Sequence, residues 1–378
     1  MKVLMVGEFP RSQADIRGGT WAASHNLVEA LIKHTDASVA TITFRMDIDA
    51  EEQLERHGGR LQIWQFPLGR YRGLINHAGQ RLAFSRIVRS WKPDLVHAQG
   101  EGLYASLAVN SGLPNVYTIH GVRLRELDMQ RSELGFLRYH LRARAVRSHH
   151  RKATNIIVIN KYTEHAIAGL HSAKIYEIPN AVRQDFFDIQ AGGGRGEAHV
   201  LLVGGVRKRK DIRTAVNAIA ALRERGHAVT LEIIGPNDDP QYLQDIESLL
   251  RTMNLRDAVK IRGLVDDEQL RGCYERADVL LLTSIEESSP VCIVEAMAAA
   301  LPIVSTDVGG ISEMVADNAI LCEVGDAPAL GTALETALFD QAAKTKMVEE
   351  SRHIARSKWS AEAVARATHK AYQEIISV

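Results

Sequence analysis

Short, almost wholly apolar runs alternate along this chain with longer stretches in which apolar residues recur every three or four positions. In the first half the short runs are Lys2–Val6, Ser38–Phe44, Leu61–Phe66, Asp94–Ala98, Asn115–His120, Asn155–Ile159 and Ile175–Ile178. Their β-branched content predicts strands, and the longer stretches, such as Thr20–Lys33, Leu74–Ser90 and Ser132–Lys152, predict helices. Ile156–Ile159 and Val200–Val203 are apolar at every position, so both faces of those strands need cover. Strands buried on both faces and alternating with helices predict open, mostly parallel α/β sheets.

The rhythm breaks after Phe187. Gln190-Ala-Gly-Gly-Gly-Arg-Gly196 has the composition of a flexible connector, and the pattern then restarts. Strands are expected at Val200–Val203, Val229–Ile234, Val259–Gly263, Val279–Thr283, Ile303–Ser305 and Ala319–Cys322, each followed by a helix. The expected organisation is a first α/β domain over residues 1–188 and a second over 189–360. A C-terminal helix within 361–378 is expected to pack back on the first domain. Open α/β sheets bind ligands at the carboxyl ends of their strands. Two Rossmann-like domains facing across a cleft would suit a nucleotide on one side and an acceptor on the other.

Composition narrows the classes. A length of 378 residues fits two such domains, with 46% hydrophobic and 24% charged residues. Lys plus Arg equals Asp plus Glu at 46 each, so no global field recruits nucleic acid or an acidic membrane. Cys273, Cys292 and Cys322 form no CxxC pair, which fits a reducing compartment. Met1–Gly7 reads as a first strand and not as a signal peptide, and no run reaches the length of a membrane span. A cytoplasmic location is expected.

The stretch Ala277–Met297 carries the most chemistry. Strand Val279–Thr283 runs into a loop with Glu286 and Glu287, after which Ser289 reads as a helix N-cap and Pro290 as the first helical residue. Ser288 lies in the same loop. The first-turn amides near Val291 suit a diphosphate, and Glu295, one turn on, is placed to accept ribose hydroxyls. Glu287 precedes the helix, where it can reach a sugar. A second cluster, Val203-Gly-Gly-Val-Arg-Lys-Arg-Lys-Asp211, puts four consecutive basic residues at a strand end, able to neutralise a leaving diphosphate.

On these motifs the sequence resembles the family 4 retaining glycosyltransferases, which have the GT-B fold. Glu287 and Glu295 meet the family's acid-x7-acid signature, followed by Ala-Met. Tyr274-x-x-Ala-Asp278, Leu301–Val304 and Gly309-Gly-Ile-Ser-Glu313 match the segments around it. The resemblance covers the C-terminal half well and the N-terminal half thinly. It implies a nucleotide-sugar donor, transfer to a glycan or glycolipid hydroxyl with retained configuration, and no metal or other cofactor. Glu287 would hold the sugar, Glu295 the ribose, and Lys210 the diphosphate. The family's usual Arg five residues before that Lys is Gly205 here, so Arg207 or Arg209 would supply the guanidinium. Base contacts are expected near Gly235 and Arg262–Leu264, and the sequence leaves open UDP, GDP or ADP. Ala300 and Ala181 stand where relatives often have Gly. In the N-terminal half the family uses the Gly18-Gly19 loop to reach donor phosphates and a His at the position of His120 near the reacting sugar. The common use of the family is the building of cell-surface polysaccharide or glycolipid.

Two further segments invite chemistry. Asp47-Ile-Asp49 is a DxD triplet of the kind that binds Mn²⁺ or Mg²⁺ in another glycosyltransferase fold, but it precedes a polar stretch away from the donor motifs and reads as a solvated loop. Residues 123–152 hold nine Lys/Arg, three Asp/Glu and three His with Phe136, Leu137, Tyr139, Leu141 and Val146 among them. Such a basic amphipathic helix can lie on an anionic membrane surface, a solvated flank or an acceptor wall being the other readings. There is no G-x-G-x-x-G, P-loop, HExxH or nucleophile elbow. The remaining alternatives are an epimerase or phosphorylase on the same fold, and a catalytically silent donor-binding protein.

Overall fold

The computed structural model describes residues 1–12, 15–16, 18–68, 77–129, 135–189, 196–315 and 318–377. It divides into two compact units, one made of Met1–Ala181 with Ala361–Val378 and the other of Val182–Ser360.

The first unit is built on eight strands: β1 (Lys2–Val6), β2 (Ser38–Arg45), β3 (Glu52–Arg56), β4 (Leu61–Pro67), β5 (Leu95–Gln99), β6 (Asn115–Ile119), β7 (Asn155–Val158) and β8 (Lys174–Glu177). Their order is β3-β4-β2-β1-β5-β6-β7-β8, parallel except for the antiparallel edge strand β3. Alternation along β1 sends its residues to opposite layers. Val3 and Met5 pack with Leu27, Val28 and Leu31 of the helix Gly19–His34, and with Val364, Ala365 and Tyr372 of the C-terminal helix Ala361–Ile376. Leu4 and Val6 pack on the other side with Phe84, Ile87, Ala105 and Ala108.

The second unit has six parallel strands, β9 (Ala198–Val203), β10 (Val229–Ile234), β11 (Val259–Gly263), β12 (Val279–Leu282), β13 (Ile303–Thr306) and β14 (Ile320–Cys322). Their order is β11-β10-β9-β12-β13-β14. Val200 and Leu202 of β9 face the helices Ile212–Glu224 and Ala327–Phe339, while Leu201 faces the layer that includes the helix Val291–Ala298.

The structure differs from the sequence reading in several places. Residues 182–188, counted there with the first domain, join the second unit. The Val182 amide donates to the Trp359 carbonyl at 2.8 Å, and Phe186 and Phe187 are buried in the second core. The polar stretch after Asp49 contains β3, whose pairing with β4 outweighs its polar composition, Leu54 being its single apolar residue. Among the described residues the basic segment 123–152 holds the helices Arg123–Met129 and Phe136–Lys152. Residues 190–195 of the connector, Arg17 of the Gly-Gly loop, and residues 74–76 and 132–134 of two expected helices lie outside the described residues.

Candidate active site

Past β9 the chain enters Gly204-Gly205 and the basic turn Arg207–Lys210, and then the helix Ile212–Glu224. Asp211 caps that helix, its carboxylate accepting from the Thr214 hydroxyl at 2.6 Å. The turn is tied to the end of β12. The Thr283 hydroxyl donates to the Lys210 carbonyl at 2.9 Å, and the Ile285 amide donates to the Arg209 carbonyl at 2.9 Å.

Those ties bring together side chains from the two motifs. Lys210 and Glu287 are 7% and 6% exposed, and the Lys210 Nζ lies 2.5 Å from Glu287 Oε1. Arg209 reaches Glu287 Oε2 at 3.2 Å and also donates to the Glu286 carbonyl. The Ser284 hydroxyl donates to Glu287 Oε1 at 2.7 Å. Burial alone would raise the Glu287 pKa, but the charges of Lys210 and Arg209, with the hydrogen bonds from Lys210 and Ser284, hold it below the usual carboxylate value. Glu287 is therefore an ionised carboxylate inside a cationic shell.

Backbone packing fixes its place. Gly309 has φ 59°, and a Cβ there would fall 1.6 Å from the Glu287 carbonyl oxygen. The Gly310 amide donates to that same oxygen at 3.1 Å. Gly235 serves similarly at the end of β10, where with φ 150° a Cβ would meet the Gly204 carbonyl oxygen at 2.4 Å.

The helix after Glu287 spans Val291–Ala298, with Pro290 in the cap position and no side-chain cap. This corrects the expected Ser289 cap and first-turn Pro290. Pro290 adopts ψ 120°, outside the helical region, and the helix starts one residue later. Ser288 and Ser289 are half-buried in the preceding loop. The first-turn amides at Val291 and Cys292 have no intrahelical acceptor, and together with the helix dipole they favour an anion. Cys292 interacts electrostatically with Lys210, Glu287 and Glu295, which places this turn beside both acids, while burial pushes its thiol up to about 12. Glu295 accepts from the Tyr274 hydroxyl at 2.7 Å. Loss of hydration pushes its pKa up to about 7, against the opposing pull of Tyr274 and Arg183.

Arg207 pairs with Asp238 at 2.9 Å. A Cβ at Gly205 would lie 3.0 Å from Arg207 Nη2 and 2.6 Å from Asp238 Oδ2. The space beside the glycine is thus filled by the Arg207–Asp238 pair, and Arg209 is engaged with Glu286 and Glu287.

In the first unit His120 follows β6, with its Nε2 2.7 Å from Gln99 Oε1, and burial pushes its pKa down to about 4. Gly18 and Gly19 open the helix Gly19–His34, Gly18 in extended backbone, and a Cβ at either would meet nothing within 4 Å. Asp47 is not simply solvated. The buried Arg45 guanidinium donates to its carboxylate at 2.9 and 2.7 Å and also binds Asp15. Among the described residues no cluster of three or more His, Cys, Asp or Glu is placed to hold a metal.

Sequence reasoning found Glu287, Lys210 and Glu295 but assigned nothing to Ser284, Tyr274 or Asp238. Tyr274 stood in a quoted motif without a role. The other two are polar residues whose partners exist only once the loops have folded.

Comparison with known proteins identifies the family. Residues 17–186 match the family described as Glycosyltransferase Family 4, and residues 197–340 match Glycosyl transferases group 1. The glycogen synthase of Mycobacterium tuberculosis is 28% identical over 324 residues, covering 83% of this chain and 76% of that protein. The 2-deoxystreptamine glucosyltransferase of Streptomyces kanamyceticus is 27% identical over 316 residues, 75% of this chain and 80% of its own. Among solved structures, sucrose-phosphate synthase from Thermosynechococcus elongatus superposes with a TM-score of 0.85 at 21% identity, covering 100% of both chains. Anabaena HepE in complex with UDP-glucose gives a TM-score of 0.75 at 17% identity over 99% of this chain and 100% of that one. With two family matches that together take in most of both units, the chain belongs to the family 4, group 1 glycosyltransferases and is a glycosyltransferase with the GT-B fold.

Proposed function

We propose that this glycosyltransferase moves a sugar from a nucleoside-diphosphate donor to a hydroxyl of a glycan or glycolipid acceptor, with retention of anomeric configuration and without a metal. The observation that carries this reading is the convergence of Lys210 and Arg209 on Glu287 at the approach to the helix Val291–Ala298. In this reading the departing diphosphate is neutralised by Lys210, Arg207 and the first-turn amides at Val291 and Cys292, a fixed array that needs no reorganisation as charge develops. Those cations do the work a divalent ion does elsewhere, so no cofactor is assigned. Glu287 holds the sugar hydroxyls, Glu295 the ribose hydroxyls, and Gly235 and Ser288–Ser289 line the nucleotide. In the first unit, His120 is assigned to the transferred sugar and the Gly18-Gly19 amides to the phosphates. The acceptor hydroxyl attacks from the face the diphosphate leaves. HepE has been crystallised with UDP, with UDP and glucose, and with UDP-glucose, which makes uridine donors the first to test.

Assigning Arg207 makes a sharp requirement. If it supplies the guanidinium that Gly205 lacks, Arg207→Ala loses activity and Gly205→Arg in that background restores part of it. Full activity in Arg207→Ala removes the assignment.

Location follows from the same reading. Among the described residues no helix is long and apolar enough to cross a membrane. The helix Phe136–Lys152 carries five arginines, one lysine and no acid, and exposes Phe136 at 77%, Leu137 at 70% and Leu141 at 59%. We assign it to peripheral contact with an anionic membrane face on the cytoplasmic side, where a glycolipid acceptor would be met. Co-sedimentation with anionic vesicles, lost at high salt and in Leu137→Glu, is the expected result.

The main test is donor turnover in EDTA. Nucleoside diphosphate should be released from one donor series only when an acceptor is present, with the product anomer matching the donor. Release without acceptor, product without a new glycosidic bond, or dependence on Mn²⁺ or Mg²⁺ would each overturn part of the reading.

A further inference from the structure

Inside the first unit, three buried side chains to which the family reading gives no role, Tyr372, His97 and Gln99, form one line that ends at the half-buried His120. Tyr372, on the C-terminal helix, places its hydroxyl 2.5 Å from His97 Nδ1. His97, on β5, has its Nε2 at 2.7 Å from the Thr118 hydroxyl and 3.1 Å from Gln99 Nε2. Gln99, two residues along the same strand, has its Oε1 2.7 Å from His120 Nε2. His97 and Tyr372 are fully buried and Gln99 nearly so. A cavity of about one water's size lies alongside, with His97, Gln99, Thr118, His120, Asn180 and Thr368 as its polar lining.

The chemistry of this line is restrictive. A side-chain amide is an acceptor at its oxygen and a donor at its nitrogen. With Oε1 toward His120, that ring must donate from Nε2–H. The Gln99 amide nitrogen lies 3.1 Å from His97 Nε2 and 3.4 Å from its Nδ1, so its N–H group sits over the ring face, while Thr118 and Tyr372 hold the two ring nitrogens and fix the ring in place. Burial keeps both rings neutral, so each has a single ring proton to place. The His120 Nδ1 is then an unprotonated acceptor with no protein hydrogen bond of ordinary length, Asn180 being the other polar side chain that interacts with the ring.

We propose that Gln99 is a positioning residue that sets the tautomer of His120, anchored by His97 and, through it, by Tyr372. The result is a His120 ring that offers Nδ1 as an acceptor to a sugar hydroxyl. This rests on the reading of His120 as a residue that touches the transferred sugar. The C-terminal helix therefore contributes to the ring's proton arrangement as well as to the core.

Nitrogen-15 NMR of histidine-labelled full-length chain tests it. The His120 resonances in the wild type should show a protonated Nε2 and an unprotonated Nδ1. In Gln99→Met, which keeps the volume but not the amide, the pattern should shift toward a mixture of tautomers. In Tyr372→Phe the shift should be in the same direction and smaller. Gln99→Met should lower kcat up to about tenfold, the worth of one net hydrogen bond, with donor KM nearly unchanged. A wild-type His120 protonated on Nδ1 overturns the proposal without any variant. An unchanged His120 pattern in a folded Gln99→Met does so as well. His120→Ala with full activity would instead remove the sugar contact and leave the tautomer assignment standing, so the two failures are separable.

Discussion

The Lys210 ammonium lies 2.5 Å from the Glu287 carboxylate, with both side chains almost wholly withdrawn from water. A buried ion pair of this kind is weak evidence of stabilisation, because desolvation offsets most of the attraction. Removing one partner is a different matter, since it strands a buried charge. Lys210→Met should destabilise the second unit by about 3 kcal/mol, and Lys210→Met with Glu287→Gln should recover most of that. Activity should not return with stability: both variants should lose about 10²–10³ in kcat, the cost of removing one preorganised electrostatic contact. Urea unfolding paired with donor turnover on the same samples checks both halves.

Gly309 should tolerate no side chain. Its φ of 59° disfavours an L-residue, and a Cβ would collide with the Glu287 carbonyl oxygen. Gly309→Ala must push the Glu287 loop away and so should weaken nucleotide binding, together with a loss of about 2 kcal/mol in stability. Nucleotide titration followed by calorimetry distinguishes this from a purely local strain, which would leave affinity unchanged.

Glu295 should make stability depend on pH in an unusual direction. Its pKa rises from 4.5 to about 7 in the folded chain. Across that window the folded state holds a proton that the unfolded state has released, so this group's contribution falls as pH rises. Glu295→Gln should flatten that part of the profile in thermal melts at closely spaced pH values. If the ionised acid binds the ribose, donor KM should fall through the same window, and in the variant it should not.

Ala300 has φ 57° just past the helix Val291–Ala298. The Leu301 amide donates to the Ala296 carbonyl at 2.9 Å and the Ala300 amide to that of Met297 at 3.3 Å, a helix end that normally uses glycine. Ala300→Gly should therefore stabilise the chain by about 0.5–1 kcal/mol, the relief of left-handed strain exceeding the extra entropy of the unfolded glycine. A raised urea midpoint with unchanged turnover is expected.

Much of this could be read along the chain. Doubly apolar strands such as Val200–Val203 announce their place in a parallel sheet because burial on both faces requires it. The acids at 287 and 295 and the lysine at 210 were legible because spacing relative to a strand end and a helix start is a local property. The domain break was legible only roughly, since the packing that claims Phe186 and Phe187 for the second unit involves partners distant in sequence.

Other features had no local signal. β3 is too polar to be seen as a strand and exists because β4 offers it an edge. Asp47 looked like a free carboxylate until the fold brought Arg45 and Asp15 beside it. The line from Tyr372 to His120 joins residues 252 positions apart and depends on the C-terminal helix packing under β5. The sequence by itself determined the elements, the two sheets and the identity of the charged residues at the donor motifs, because periodicity and capping act over a few residues. Tertiary structure alone decided which charges neutralise one another, where glycine is obligatory and which side chains surround the buried histidines, because these depend on distances between segments that only folding brings together.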